Sequence, residues 1–595
     1  MKIVTRWASL GLLMLFALVP AARAQVMQQV PAEAIVVIRI ANLEKTSAKF
    51  AAFANELGLA QLQPELADPL ASFQKQANIE QGLNRTGDMA FVFIDPQVVP
   101  AEDDQNMLVL LPVTDYKQFL ANFPEADANQ QISEVVFPDT EEPAFLTNWG
   151  NYAVISRSRE AAALKPAGIK PQGAVAKELE TKDAVAFLNM PRLRQIAIPA
   201  LHENREQIIQ QLQEGFGQAR PDMANMEQVV RSIAEHAINV AEVFLNEATG
   251  ASMGLNLAEG GISTTFLVDF QEGGQFASAI KGFKNTEESM LRGLPEGKYL
   301  FYGGMVNDPQ ASQQVIAQLV DPIINDLRQA AGDQKAAVDQ YYDALKRYLA
   351  GYQSTSFGMV APAGELGMSP LIQFLSVVRG DAQQIQSSYA DMIKAQEELT
   401  NAFGEAGAQT QTEITPKAKT VDGVAFDLYQ TEITMDPQTP EAAQAQQAMM
   451  FMYGPDGVNV LSGVVDNKTV LVVSGVEDEV ISSAIASAKA NQDPLAKLAQ
   501  VQAVSQQLPK SRVAAFYVPV DEIVSTTLGY ANRMGFAIPL ELPPDLPPIG
   551  ATVATEGGTI RIDSYTPMEL VRSLVAASMQ LQMQMQGGGR PGGAL

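Results

Sequence analysis

The 595-residue sequence has no cysteine, and histidine and tryptophan occur only twice each. Without a thiol there is no disulfide, no thiol nucleophile, no iron–sulfur cluster and no thiolate zinc site. A chain of this length can bury an ample core without covalent staples. Basic residues are also scarce: 41 Lys and Arg stand against 67 Asp and Glu, a net charge of −26. Such a charge repels phosphate backbones and anionic lipid, and no cluster of Lys or Arg offsets it, so nucleic-acid binding is excluded. The acidity serves solubility; no D-x-D-x-D-G loop is present to hold a divalent cation.

Catalytic signatures are missing as well. His202 (LHENREQII) and His236 (SIAEHAINV) sit in helical patterns, and neither belongs to H-E-x-x-H, so no metal or other cofactor is expected. There is no G-x-S-x-G elbow, no ordered S-x-x-K set, no P-loop and no G-x-G-x-x-G after a strand. Scattered carboxylates leave a glycosidase-like pair open. Beyond the first two dozen residues, however, Trp149 is the sole tryptophan, and carbohydrate clefts use several aromatic platforms.

One long apolar run exists, at the start. Lys2 and Arg6 precede Trp7 to Val19, Pro20 breaks the run, and Ala22-Arg23-Ala24 supplies small residues where a signal peptidase reads. This predicts a secretory leader cut after Ala24, with Gln25 first in the mature chain. The run is short of the roughly 20 residues that span a bilayer and no second run approaches that length, so no transmembrane anchor is expected. Losing Lys2, Arg6 and Arg23 with no acid takes the charge to −29 and leaves 571 residues, enough for three or four domains or fewer large ones.

Three patterns then recur. In the first, an apolar β-type run leads through a polar or proline break into a helix: Ala34 to Asn55, Ala184 to Leu201, Lys298 to Ile324 and Arg512 to Asn532. In the second, two alternating runs flank a glycine turn. Glu259-Gly260-Gly261 and Glu556-Gly557-Gly558 mark such hairpins, with a looser version around Gly364 and Gly367. In the third, a short β run enters an acidic helix start, at Tyr152 to Ala163 and at Val470 to Ile485. Thr566-Pro567-Met568-Glu569 reads as a capping box opening a last helix. Residues 98–106, 404–420 and 539–548 read as loops or extended proline-rich segments. Two amphipathic stretches, 223–247 and 337–352, carry apolar stripes: Met226, Val230, Ile233 and Ala237 in the first, Tyr341, Leu345, Tyr348 and Tyr352 in the second.

In order, these elements predict an α+β fold of tandemly duplicated modules, mostly antiparallel sheet with helices packed on one face. The expected divisions are a leader at 1–24, a first half at 25–292, a second half at 293–586 and a disordered glycine-rich tail at 587–595. The fuller burial read in IVVIRI and FVFI makes the first strands central.

Asn491 to Val520 (NQDPLAKLAQVQAVSQQLPKSRVAAFYVPV) and the opening V-P-A-E-A-I-V-V-I-R-I-A-N-L resemble a unit of large secreted bacterial proteins of unknown function, built from repeated strand–helix and hairpin modules. The resemblance implies export and a repeated α+β fold. It transfers no catalytic residue.

The functional expectation is an exported, non-catalytic binding or structural component of the cell envelope, whose partner is a protein or another envelope element. Two alternatives are open: an extracellular or periplasmic hydrolase with an unrecognised carboxylate site, and a carrier of an apolar ligand. Buried carboxylates clustered in a deep cleft would favour the first, an apolar tunnel the second, and a flat exposed sheet face the binding component.

Overall fold

The computed structural model describes residues 25–587 except 138–141, 220–226, 331–334, 363–369, 404–408, 435–439, 455–456, 537 and 539. Ala22, Ala24, the looser turn at Gly364 and Gly367 and the tail beyond Gly587 therefore lie outside the described residues. Gln25 opens a 3-10 turn, Gln25–Gln28, and Val26 and Met27 behind it are buried.

The protein is α+β, with antiparallel strand pairing throughout the described strands. It folds as two compact units. The first comprises the described residues up to Pro199 with Leu245–Glu272 and Thr559–Val575; the second comprises Ala200–Phe244, Gly273–Gly558 and the described residues from Ala576.

Nine strands open the first unit: β1 Ala34–Ile40, β2 Met89–Ile94, β3 Met107–Pro112, β4 Ile132–Val136, β5 Pro143–Trp149, β6 Tyr152–Ser156, β7 Ala184–Leu188, β8 Ala248–Ala258 and β9 Gly261–Phe270. The second unit holds β10 Tyr299–Val306, β11 Tyr352–Val360, β12 Gln373–Gly380, β13 Gln409–Val421, β14 Val424–Thr434, β15 Val458–Asp466, β16 Thr469–Ser474, β17 Ala514–Val518 and β18 Ile549–Glu556. The last strand, β19 Thr559–Pro567, belongs to the first unit, where it pairs with β9.

The sheet of the first unit runs β4-β5-β6-β3-β2-β1-β7-β8-β9-β19. That of the second runs β13-β14-β15-β16-β12-β11-β10-β17-β18. With β13 set aside at the edge of the second sheet, and β9 and β19 at the edge of the first, the remaining eight strands of each follow one order: fourth, fifth, sixth, third, second, first, seventh, eighth.

Alternation explains the central strands of the first unit. Met89 and Phe91 of β2 join Ile40, Val109, Leu111, Leu43 and Phe73 on one face, where the helix Leu43–Glu56 lies. Ala90, Val92 and Ile94 join Val37, Leu108, Leu110, Val175 and Phe187 on the other. Both faces of these strands are buried, which is why FVFI carries no polar alternate.

The two shared turns form as the glycines demand. Gly261 sits at φ +152, and a Cβ there would lie 2.3 Å from the Thr566 carbonyl oxygen. Gly557 and Gly558 take φ +59 and +97, a backbone that side chains rarely adopt. The segment 404–420 departs from the loop expectation: from Gln409 it forms β13, which pairs with β14 across Asp422 and Gly423 at φ 46 and 79. The β-branched alternation T-Q-T-E-I-T favours a strand over the loop suggested by its polarity. The two stripes pack in part as core: Tyr352 of the second is buried with Tyr348 stacked against it. In the helix Glu227–Glu247, Ala234 and Ile238 are buried while Ile233 is 43% exposed; in Lys335–Gly351, Val338 and Tyr342 are buried.

Candidate functional site

The outer strands β8, β9 and β19 present one apolar row to solvent. Cross-strand register aligns Ala186 with Met253, Met253 with Phe266, and Phe266 with Ile562. Their exposures decide how this face should be read: Met253 is 53%, Phe266 46% and Ile562 38% exposed. Directly opposed residues on one face of an antiparallel pair touch, so the three side chains form a continuous strip. Leu255, Thr264 and Ser564 form the next row on one side; Ala251, Val268 and Ile560 form it on the other. Neither row carries a charge. Single exposed apolar residues are ordinary, but a contiguous row across three strands marks an interaction surface.

The reverse face of the same strands is polar and closed. Arg561 donates to Glu178 at 2.7 Å and to both oxygens of Asp563 at 2.7 and 2.8 Å. Lys182 lies 3.6 Å from Glu178 and donates to Thr265 at 2.9 Å, while Thr265 donates to Asp563 at 2.7 Å. Burial pushes the Arg561 guanidinium down, but Asp563 and Glu178 outweigh it and hold the group above its ordinary value. Asp269 accepts from the Val175 amide at 3.1 Å and from Thr559 at 2.6 Å. Gly173, at φ +64, lets the start of the helix Gly173–Thr181 approach: a Cβ there would sit 2.6 Å from Asp269. Every carboxylate of this cluster is neutralised or capped. The cluster fastens the helix and β19 to the sheet, and it offers no free acid–base pair.

Elsewhere the candidate groups stay apart. His202 faces Glu242 at 3.0 Å, whereas His236 contacts the Leu319 carbonyl at 3.1 Å; among the described residues no cluster of His, Asp and Glu is arranged to hold a metal. Trp149 is buried in a core cluster and is no sugar platform. Asp521 is the most unusual carboxylate. It is buried, one oxygen accepts from the Leu546 amide at 3.1 Å, the other has no partner, and burial raises its pKa. Its neighbour Glu522 is tied to Lys298 at 2.6 Å. Lys419, Leu428, Leu461 and Val473 line a cavity of about 330 Å³.

The sequence readings did not single out Met253, Phe266 or Ile562. The alternation A-S-M-G-L-N-L and T-T-F-L-V-D-F sorts side chains onto two faces but carries no sign of which face stays open.

No family model matches the chain, and no curated protein sequence matches it. Among solved structures it is similar to TP0453 in crystal form III, at TM-score 0.20 and 10% identity over 49% of this chain and 99% of that one. Crystal form I of TP0453 gives TM-score 0.18 and 10% identity over 50% and 99% of the two chains. Likeness at this level carries no functional argument. Among the described residues no helix is long and apolar enough to cross a membrane.

Proposed function

We infer that the chain is an exported, non-catalytic binding component of the cell envelope, which engages a protein partner through the outer face of β8, β9 and β19. The exposed Met253–Phe266–Ile562 row carries this reading. An uncharged apolar strip on a rigid sheet suits a partner with a flat apolar patch, and the acidity of the chain favours a basic rim around that patch. The paired state of Glu178, Asp563 and Asp269 supports a structural role for the reverse face, and hence binding over hydrolysis. Export rests on the leader and its cut between Ala24 and Gln25. The common strand order of the two sheets supports a tandem duplication of one antiparallel module.

A photo-crosslinker at position 266, compared with one at exposed Lys510, tests the reading in intact cells. The expected result is one discrete envelope adduct from position 266 only, on a chain whose N-terminal residue is Gln25. Equal labelling from both positions would count against it.

A further inference from the structure

In the second unit, Ser289, Met290, Val501, Gln502, Arg512 and Tyr517 line a cavity of about 260 Å³. Arg512 is only 7% exposed. Its backbone is fixed by two hydrogen bonds with Thr286, at 2.9 and 3.1 Å. One terminal nitrogen donates to the Pro509 carbonyl at 3.2 Å, and Nε has no partner. Among the described residues, no carboxylate forms an ion pair with this buried guanidinium.

The first unit shows how such a cation is ordinarily treated. Lys182 and Arg512 each stand two residues before an equivalent strand, β7 and β17. Lys182 receives a carboxylate, Glu178, from the helix before it. The corresponding helix Ala499–Ser505 (AQVQAVS) has no acidic residue, and its Val501, Gln502 and Ser505 line the cavity that Arg512 also lines. Two acids do line that cavity. Asp493 is paired with Lys497 at 4.0 Å, and Glu287, like Lys510, is exposed to solvent, so neither acid serves as the counter-ion of buried Arg512. A buried, unpaired cation is costly, and a bound anion relieves that cost.

We propose that this cavity is a binding site for a small monocarboxylate with a compact apolar body. Its carboxylate accepts charge-assisted hydrogen bonds from Arg512, and its body packs on Met290, Val501 and Tyr517. A phosphate dianion would bring a second negative charge toward Asp493 and Glu287, which disfavours it.

Calorimetric titration of the full chain with hexanoate, acetate and inorganic phosphate tests the site. Hexanoate is expected to bind saturably, one per chain, and at least tenfold more tightly than acetate. Arg512→Gln should weaken hexanoate at least tenfold with an unchanged circular dichroism spectrum, whereas Lys510→Gln changes it less than threefold. Should Arg512→Gln fail to fold, Ala496→Trp, which fills the cavity from a half-buried position, should abolish binding. Absence of saturable hexanoate binding, tighter binding of phosphate, or full affinity in both Arg512→Gln and Ala496→Trp would overturn the proposal. The outcome is independent of whether the sheet face binds a partner.

Discussion

Arg561 of β19 and Glu178 of the helix Gly173–Thr181 meet at 2.7 Å across 383 residues of sequence. The pair ties the end of the chain into the unit formed by its beginning. Glu178 is 4% exposed and Arg561 34%, so solvent screens one partner in part. Glu178→Ala strands the guanidinium with Asp563 alone and should lower stability by on the order of 2–3 kcal/mol. A double-mutant cycle with Arg561→Ala checks this in chemical denaturation. Coupling of about 1 kcal/mol or more is expected, and strict additivity would show that the contact is idle.

A chain ended at Gly558 loses β19 and exposes the edge of β9. Asp269 then loses Thr559, and Thr265 loses Asp563. At those alternate positions of Thr264–Val268 whose amides face β19, exchange should quicken by at least an order of magnitude, because these groups lose their ladder partners while their neighbours still pair with β8. Exchange that stays as slow as in the full chain would mean that β9 needs no partner.

Burial holds the Asp521 carboxyl above its ordinary value. A carboxyl raised in the folded state contributes stability below its unfolded pKa of about 4 and loses it as pH rises through the folded value. At neutral pH the ionised group therefore opposes folding. Asp521→Asn retains an acceptor for the Leu546 amide and should raise the melting temperature at pH 7, with the gain vanishing near pH 3. A variant that is less stable at pH 7 than at pH 3, relative to the parent, contradicts this sign.

Alkali should act through the tyrosines. Burial pushes the Tyr116 hydroxyl up to about 12, and burial followed by the Asp427 charge does the same for Tyr429. Tyr429 packs edge-on against Tyr389 with ring centroids 5.3 Å apart. A raised phenol stabilises the fold fully below about pH 10, and that stability is lost as pH climbs through 12. Tyrosinate absorbance should rise late and together with loss of secondary structure. Smooth titration near pH 10 in the folded chain would contradict the burial.

The sequence was most legible where geometry is local. Glycine at 261, 557 and 558 fixes turns because side chains resist those backbone angles; continuous apolar runs gave β1 and β2, and alternating runs the strands beside the EGG turns. Polarity misled at β13, where hydroxyl-bearing and β-branched side chains form an exposed edge strand. The candidate face was hidden for another reason. Whether Phe266 or Thr265 faces the helix depends on Arg561 and Asp563 of β19 and on Glu178, from two segments distant from β9 in sequence.

The binding role of the sheet face is tested most directly by charging its centre. Phe266→Asp leaves the buried face of β9 intact, so its circular dichroism spectrum and melting should match the parent within a few degrees. If the proposed export holds, the parent expressed from residue 1 should fractionate with the envelope and Phe266→Asp should be released to the soluble exported fraction. Retention of the variant at the level of the parent would contradict the account.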